Sequence, residues 1–392
     1  MTNWPVTLEL VTGSVPVDPI GPTIAHTLGG LRMPETMFQA YAVNGGELTP
    51  IPAWTAYDAL RGSTDGVVIR ALRNTLFDTI LPLFQQAELQ HGTGFEAIVP
   101  GDGGAATARR TVVTHVEAQK LIVDQVGAFV REHGTAARGC VFGVSGGGDS
   151  NALAFGLRRA VPADRLFAFT LTFRDVMTRA AADRATVLCQ DLGIEHVVYE
   201  PDELARLLDM RTSVDALYED FAGAFGHEAV HFFGTFLILK TARVLGQRRG
   251  FGDLAFGYNR EDLLAELLFM VMNGQTPLAY PLRPLGEQRI VMPVWRAPKL
   301  LLDACHPVFS LENYRERDAH TTRQRSLAFY LAHSLDSAYP SFGLSVLEGM
   351  RKLFDGRFAE LEYDADLDVY VTALATPERR GVVREMLNRH FA

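Results

Sequence analysis

Hydrophobic positions at the start of the chain alternate with polar ones at a period of two residues, which is typical of half-buried strands. The alternation is seen in 6–11 and again in 37–43, where Asn44, Gly45 and Gly46 follow and predict a hairpin turn. A further strand is predicted at 67–72 and a helix at 75–86. The glycine-rich stretch 101–108 reads as a linker. We therefore expect a β-rich N-terminal domain over residues 1–110, offering contacts to substrate, a partner or a second copy in a homodimer.

From residue 111 to 310 the spacing changes to strands that alternate with helices. A helix is predicted over 115–132, a buried strand at 139–144 and another at 166–173. A helix over 179–192 ends at a glycine and precedes a third strand at 195–199. This order predicts an α/β fold with a doubly wound parallel sheet, whose ligands bind at the carboxyl ends of the strands. Residues 311–392 follow as a helical C-terminal region.

The stretch between the first of these strands and its following helix carries the strongest chemical signal. Ser145-Gly146-Gly147-Gly148-Asp149-Ser150 is a glycine turn that opens a helix. Glycines allow the backbone to approach a ligand closely, and the N–H groups and dipole of a helix N-terminus favour an anion. The sequence is neither a Walker A loop, since no Gly-Lys-Ser/Thr follows, nor a G-x-G-x-x-G dinucleotide loop. It predicts a phosphate site of another kind.

Ser-Gly-Gly-x-Asp-Ser resembles the PP-loop of the N-type ATP pyrophosphatases, which have a PP-loop/HUP-like fold. The resemblance implies an enzyme that cleaves ATP to AMP and pyrophosphate while it adenylates a substrate oxygen, with Mg²⁺ as a cofactor. It implies that Ser145 and Asp149 are catalytic. It also implies contacts of ATP with Ser145, Gly146, Gly147, Gly148, Asp149, Ser150, Thr172 and Phe173, the last two near adenine.

A second polar cluster follows the predicted strand that ends at Gly257. Asn259, Glu261 and Asp262 lie on the turn into the next helix, where they could bind magnesium or could simply cap the helix. Gly-Tyr-Asn-Arg-Glu-Asp resembles the signature of the tRNA-thiolating branch of the family, and looser matches extend over about 115–350. The resemblance implies nucleotide contacts by Gly257 and Asn259, metal ligation by Asp149, Glu261 and Asp262, and a catalytic role for Asp262. Lys240, on the preceding helix, becomes a candidate for neutralising the α-phosphate or an exposed lysine.

The chain departs from that branch in its cysteines. His227 and Val230 stand where the branch has a pair of cluster ligands, so we expect no iron–sulfur cluster. Of the three cysteines, Cys305 is adjacent to a histidine and is the candidate reactive thiol. For the nucleophile that replaces AMP we favour sulfur, transferred onto a small metabolite or nucleobase, because the matches run longest with the thiolating branch. The alternative, which the missing cysteines favour, is a nitrogen nucleophile, as in amide- or amidine-forming ligases.

His227-Glu-Ala-Val-His231 fits the H-E-x-x-H pattern of zinc hydrolases. Within a nucleotide-binding domain the pattern is weak evidence for a protease, and the two histidines are instead expected to line the substrate cavity. A domain that binds nucleotide without turnover is a further alternative, against which the intact Ser145, Asp149 and Asp262 argue.

Charge and composition restrict the classes of partner that we expect. The net charge is −9, and basic residues occur only in short runs mixed with acids, so a small-molecule substrate is favoured over tRNA. A sulfur or nitrogen donor protein remains a possible partner. We expect no membrane segment, because no apolar run is long enough. Few cysteines and no visible signal peptide predict a cytoplasmic protein.

Overall fold

The computed structural model describes residues 4–10, 13–31, 33, 38–71, 93–100, 106–174, 177–316, 323–338, 342–365, 368–372 and 376–391. Its strands are β1 (Val6–Leu10), β2 (Gly13–Val17), β3 (Phe38–Asn44), β4 (Glu47–Ile51), β5 (Gly66–Ala71), β6 (Thr93–Pro100), β7 (Ala106–Val113), β8 (Cys140–Gly143), β9 (Leu166–Leu171), β10 (His196–Tyr199), β11 (Asp253–Ala255), β12 (Leu282–Leu285), β13 (Gln288–Val291), β14 (Leu361–Asp364) and β15 (Val369–Thr372).

Its helices are α1 (Ile24–Gly30), α2 (Tyr57–Leu60), α3 (His115–His133), α4 (Thr135–Arg138), α5 (Gly148–Ala160), α6 (Arg179–Leu192), α7 (Pro201–Leu207), α8 (Val214–Phe225), α9 (Val230–Arg249), α10 (Arg260–Met272), α11 (Lys299–Cys305), α12 (Pro307–Glu316), α13 (Arg323–Ala338), α14 (Phe342–Leu353) and α15 (Pro377–His390). Short 3₁₀ turns lie at Ala163–Arg165 and His227–Ala229.

The N-terminal strands form a mixed sheet in the order β2-β1-β5-β3-β4, in which β1 and β5 are parallel and the other pairs antiparallel. The predicted hairpin is confirmed, since β3 and β4 are joined by Gly45 and Gly46 with positive φ. Alternate residues of these strands pack against Ile24 and Leu28 of α1 in a separate apolar cluster. Tyr330 of α13 packs against the same cluster and so connects it to the C-terminal helices. The predicted helix at 75–86 lies outside the described residues.

The stretch predicted as a linker joins two strands instead. β6 and β7 pair antiparallel from Thr93 opposite Val113 to Pro100 opposite Ala106, so 106–108 belong to β7. The prediction of a linker is therefore wrong over those residues, and 101–105 lie outside the described residues. Strand β6 contacts α11, and β7 leads directly into α3.

The main sheet has the order β10-β9-β8-β11-β13-β12, with every neighbouring pair parallel except β12 with β13. This confirms the predicted doubly wound sheet. The chain proceeds from β8 through β9 to β10, and then crosses back to place β11 on the other side of β8. Right-handed crossovers then put α5 and α6 on one face and α9 on the other. The reversal between β8 and β11 is the kind of switch point at which such sheets bind ligands.

Local signals fix the helices around this sheet. Thr114 and Glu117 form a capping box at the start of α3, and Thr178 caps α6, which ends at the left-handed Gly193 as predicted. The C-terminal region contains the predicted helices and also a hairpin of β14 and β15, which the sequence analysis did not predict. Among the described residues, no helix has the length and apolar character to cross a membrane.

Candidate active site

The predicted phosphate loop connects the carboxyl end of β8 to the N-terminus of α5. Ser150 holds its shape: its hydroxyl donates to the Gly147 carbonyl at 3.1 Å and accepts from the Ser145 N–H at 3.0 Å. Gly146 has φ +69, and a Cβ there would lie 2.5 Å from the Ala181 carbonyl oxygen. Since Gly147 at the N-cap has no side chain, α5 presents its first N–H groups without a side-chain cap. This is the geometry of an anion site.

The second predicted cluster meets the loop at the switch point. Asn259 Nδ2 donates to Asp149 Oδ1 at 3.2 Å, although the two residues are far apart in the chain. Asn259 and Asp262 also form a capping box at the start of α10, so the capping interpretation holds together with the site interpretation. Gly257 backs onto the loop, because a Cβ there would lie 3.2 Å from the carbonyl carbon of Asp149.

Electrostatics at this point favour a bound cation. Burial, and then the nearby charge of Asp149, raise the pKa of Asp262 to about 7. Two neighbouring carboxylates together with substrate phosphates are the usual ligands of Mg²⁺ in nucleotide sites. Asp149 and Asp262 therefore fit the cofactor that the family resemblance implies.

Glu261 was predicted as a third metal ligand, and that role stays a prediction, since one of its carboxylate oxygens is engaged elsewhere. Its carboxylate accepts a hydrogen bond at 3.0 Å from the backbone N–H of Lys299, and thus caps the start of α11. Among the described residues, no group of three or more His, Cys, Asp or Glu side chains is placed to hold a metal ion.

Lys299 is the site residue that sequence reasoning missed. Its Nζ lies 3.1 and 3.2 Å from the two carboxylate oxygens of Asp149 and 2.7 Å from Oδ1 of Asp303, one turn along α11. A cation is thus already held beside the phosphate loop. Asn313 of α12 lies over the loop as well, with its amide about 3 Å from where a Cβ of Gly147 would be. The available signal was position, since Lys299 follows β13, the strand next to β11.

Thr172 and Phe173 lie at the end of β9, on the same edge of the sheet. The Thr172 hydroxyl donates to the Glu200 carboxylate at 2.5 Å, which in turn pairs with Arg179. The Phe173 ring is buried against Tyr218 and Phe233. Their contact with adenine stays a prediction.

Lys240 does not reach the phosphate loop. Its Nζ donates to the backbone carbonyl and carboxylate of Asp368 at 3.0 and 3.1 Å, and the ring of Phe391 lies 4.8 Å away. Asp368 also pairs with Arg243, so both cations hold the β14–β15 hairpin on α9. The prediction that Lys240 neutralises the α-phosphate is therefore wrong, because its positive charge is paired with Asp368, a residue that belongs to no sequence motif.

The H-E-x-x-H segment does not form the helix that a zinc hydrolase needs. Gly226, with φ +86, ends α8, and His227 lies in a 3₁₀ turn before α9 begins at Val230. His227 Nδ1 lies 3.2 Å from the Tyr218 hydroxyl. The zinc interpretation is wrong for this geometry, and the role of His227 and His231 in a substrate cavity stays a prediction.

Cys140, Cys189 and the candidate reactive thiol Cys305 are all buried. The Cys305 thiol donates to the Leu301 carbonyl oxygen at 3.5 Å within α11. Burial raises its pKa, and the nearby Asp303 raises it further. The prediction of a reactive thiol at Cys305 is therefore wrong, because this sulfur is neither accessible nor inclined to ionise.

Comparison with known proteins finds one family model, which matches part of the α/β region. Residues 118–223, which include the phosphate loop, match the family model described as NAD synthase. No curated protein matches the chain.

Similar solved structures include the U34-tRNA thiolase NcsA from Methanococcus maripaludis, at 16% identity over 62% of this chain and 82% of that one, with a TM-score of 0.49. The NH3-dependent NAD synthetase from Campylobacter jejuni subsp. jejuni NCTC 11168 has 17% identity over 64% of this chain and 100% of that one, with a TM-score of 0.37. The NMN synthetase from Francisella tularensis has 14% identity over 64% and 98%, with a TM-score of 0.39. At such values these likenesses carry no argument about function.

Proposed function

We propose that this chain, which belongs to the N-type ATP pyrophosphatase superfamily, uses ATP to adenylate a carbonyl or carboxylate oxygen of a small molecule. The observation that carries the proposal is that the N-terminus of α5, which has no side-chain cap, lies beside Asp149, Asn259 and Lys299 at the switch point. Phosphate groups would bind the N–H groups of the loop, and Lys299 would offset their charge.

The reaction follows from this arrangement. A substrate oxygen attacks the α-phosphorus, the bond from that phosphorus to the bridging oxygen breaks, and pyrophosphate leaves with the negative charge. The loop N–H groups and Lys299 stabilise that charge. Mg²⁺, held by Asp149 and Asp262 with the phosphates, would neutralise further charge. A nucleophile then attacks the activated carbon of the substrate and AMP departs.

For the nucleophile we favour nitrogen supplied from solution or by a donor protein. All three cysteines are buried, and burial raises the pKa of each, as in Cys189 to about 12. A persulfide or thiolate on this chain is therefore disfavoured, and the match to the NAD synthase family agrees with a nitrogen nucleophile. Sulfide delivered by another protein is the second candidate, since it needs no cysteine here.

The test is a product analysis. Purified protein, Mg-ATP and a metabolite extract are incubated with ammonium or with sulfide, and mass spectrometry follows the nucleotides and the consumed metabolite. We expect AMP and pyrophosphate, with formation slowed about 100-fold in Asp149→Asn and in Lys299→Met because each removes a charge at the loop. Lys352→Met, at an exposed lysine on α14, is the matched control and should leave the rate unchanged.

The mass gained by the metabolite distinguishes nitrogen from sulfur. Release of ADP and phosphate would exclude the adenylation chemistry. Binding of ATP without turnover under either condition would instead support a nucleotide-binding scaffold.

A further inference from the structure

The variable position of the phosphate loop, Gly148, shares its space with a carboxylate from another helix. A Cβ at Gly148 would lie 2.0 Å from Asp303 Oδ1 and 2.9 Å from the Ser310 hydroxyl. Contacts below 3.0 Å do not occur at real Cβ atoms. The absent side chain and the Asp303 carboxylate are therefore a matched pair, and any larger residue at 148 would displace the carboxylate.

Asp303 carries a charge in a place where charge is costly. The residue is only 1% exposed, and a buried carboxylate needs a cation and hydrogen bonds to stay ionised. Lys299 supplies the cation at 2.7 Å, and α5 begins at Gly148, so the positive end of its dipole adjoins the carboxylate. The Ser310 hydroxyl donates to the Asp303 carbonyl at 3.1 Å and fastens α12 to the end of α11.

Lys299 therefore bridges two carboxylates with different access to solvent. Asp149 in front is 33% exposed, whereas Asp303 behind is enclosed. A metal ion that arrives from solvent would compete with Lys299 for Asp149, and a phosphate would compete with Asp149 for Lys299, but neither would reach Asp303. The contact with Asp303 is thus the one that persists when the site fills.

We propose that Asp303 is a positioning residue, which keeps the Lys299 ammonium aimed at the phosphate loop while Asp149 engages the metal and the nucleotide. The glycine at position 148 is what admits it. The inference rests on the proposed function, since it assigns Lys299 to bound phosphate. It also separates Asp303 from the reacting atoms, because its carboxylate acts only through Lys299.

A double-mutant cycle tests this. Calorimetry measures the affinity of the protein for a non-hydrolysable ATP analogue in the presence of Mg²⁺. The four proteins compared are the wild type, Asp303→Asn, Lys299→Met and the double variant. We expect each single change to weaken binding about 10-fold, as for the loss of a charge-assisted hydrogen bond, and the double variant to bind no more weakly than Lys299→Met. If Asp303 only stabilised the fold, Asp303→Asn would lower the melting temperature both with and without Lys299, and its effect on affinity would not depend on Lys299. Additive losses of affinity would overturn the inference.

A second cycle tests the matched pair. Gly148→Ala should weaken binding in the wild type by displacing Asp303, but should have a much smaller effect in an Asp303→Ala background, where only the rotatable Ser310 hydroxyl still lies within 3.0 Å of the added Cβ. Equal effects of Gly148→Ala in both backgrounds would contradict the shared space.

Asp253 is the matched control, because it is another fully buried carboxylate, paired with Arg138 and Arg289 at the opposite edge of the sheet. Asp253→Asn should lower stability and leave the affinity of the folded protein unchanged; a loss equal to that of Asp303→Asn would overturn the inference. Wild-type protein that bound no nucleotide would overturn the proposed function and this inference together. Normal wild-type binding with an additive cycle would overturn the inference alone.

Discussion

The phosphate loop depends on a glycine at position 146 for two separate reasons, and a single substitution measures both. Gly146 has φ +69, a conformation that costs an L-residue roughly 1–2 kcal/mol. A Cβ there would also lie 2.5 Å from the carbonyl oxygen of Ala181, in the first turn of α6. That oxygen belongs to a helix backbone and has little freedom to move, so relief must come from the loop.

The two terms give a magnitude for Gly146→Ala. Overpacking of a filled site typically costs about 1–3 kcal/mol, and with the conformational term the free energy of unfolding should fall by about 2–5 kcal/mol. Gly193→Ala at the other end of α6 is the matched control. Gly193 has φ +62 but nothing within 4 Å of the added Cβ, so only the conformational cost of roughly 1–2 kcal/mol applies.

Urea denaturation of the two variants and the wild type measures the difference, and binding of an ATP analogue reports the loop. We expect Gly146→Ala to lose more stability than Gly193→Ala and to bind nucleotide more weakly, since the loop N–H groups are displaced. Gly193→Ala should bind as the wild type does. Equal losses of stability in the two variants would show that the loop relaxes away from α6, and would refute the reasoning.

Two further predictions concern buried titratable groups. Burial lowers the pKa of His196 from 6.5 to about 4, so below pH 6.5 the unfolded chain binds more protons than the folded one, and stability should fall as the pH falls through that window. His196→Gln should reduce this decline in urea denaturation at a series of pH values, with His306 and His133, whose pKa values burial also lowers, contributing in the same direction; an unchanged slope would contradict it. Cys305→Ala should cost about 1 kcal/mol of stability for the lost packing and keep AMP formation, whereas a folded but inactive variant would restore the thiol to the mechanism.

Local sequence signals predicted the parts of the fold that local forces determine. Thr178 and Gly193 bound α6 because a hydroxyl cap and a left-handed glycine act within one turn of the chain. The conformation of the loop from Ser145 to Ser150 is also determined locally, since the Ser150 hydroxyl forms hydrogen bonds with the backbone of the loop itself. The strand order was not local, but alternation of strands and helices restricts the sheet to few topologies.

The failures have a different origin. Lys240 has the right charge and lies in the expected segment, yet its ammonium is bound by Asp368, a partner distant in the sequence. Glu261 likewise accepts a hydrogen bond from the distant N-terminus of α11, although its metal role stays untested. The H-E-x-x-H pattern, already weak evidence for a zinc hydrolase within a nucleotide-binding domain, begins in a 3₁₀ turn because Gly226 ends a helix just before it. A pattern names residue types, whereas tertiary contacts decide what each side chain binds.

The missing residue, Lys299, could have been found by applying the sheet topology one step further. Parallel strands bring their carboxyl ends to one edge, and β8, β11 and β13 are consecutive neighbours in the sheet. The turns after β8 and β11 supply Asp149 and Asn259, and the chain after β13 supplies Lys299 at the same edge. Asp303 then follows at helical spacing, but its place beside Gly148 is a contact between residues far apart in the sequence, which only the structure reveals. The phosphate loop and α11 are therefore coupled, and a substitution in either should be tested for its effect on both.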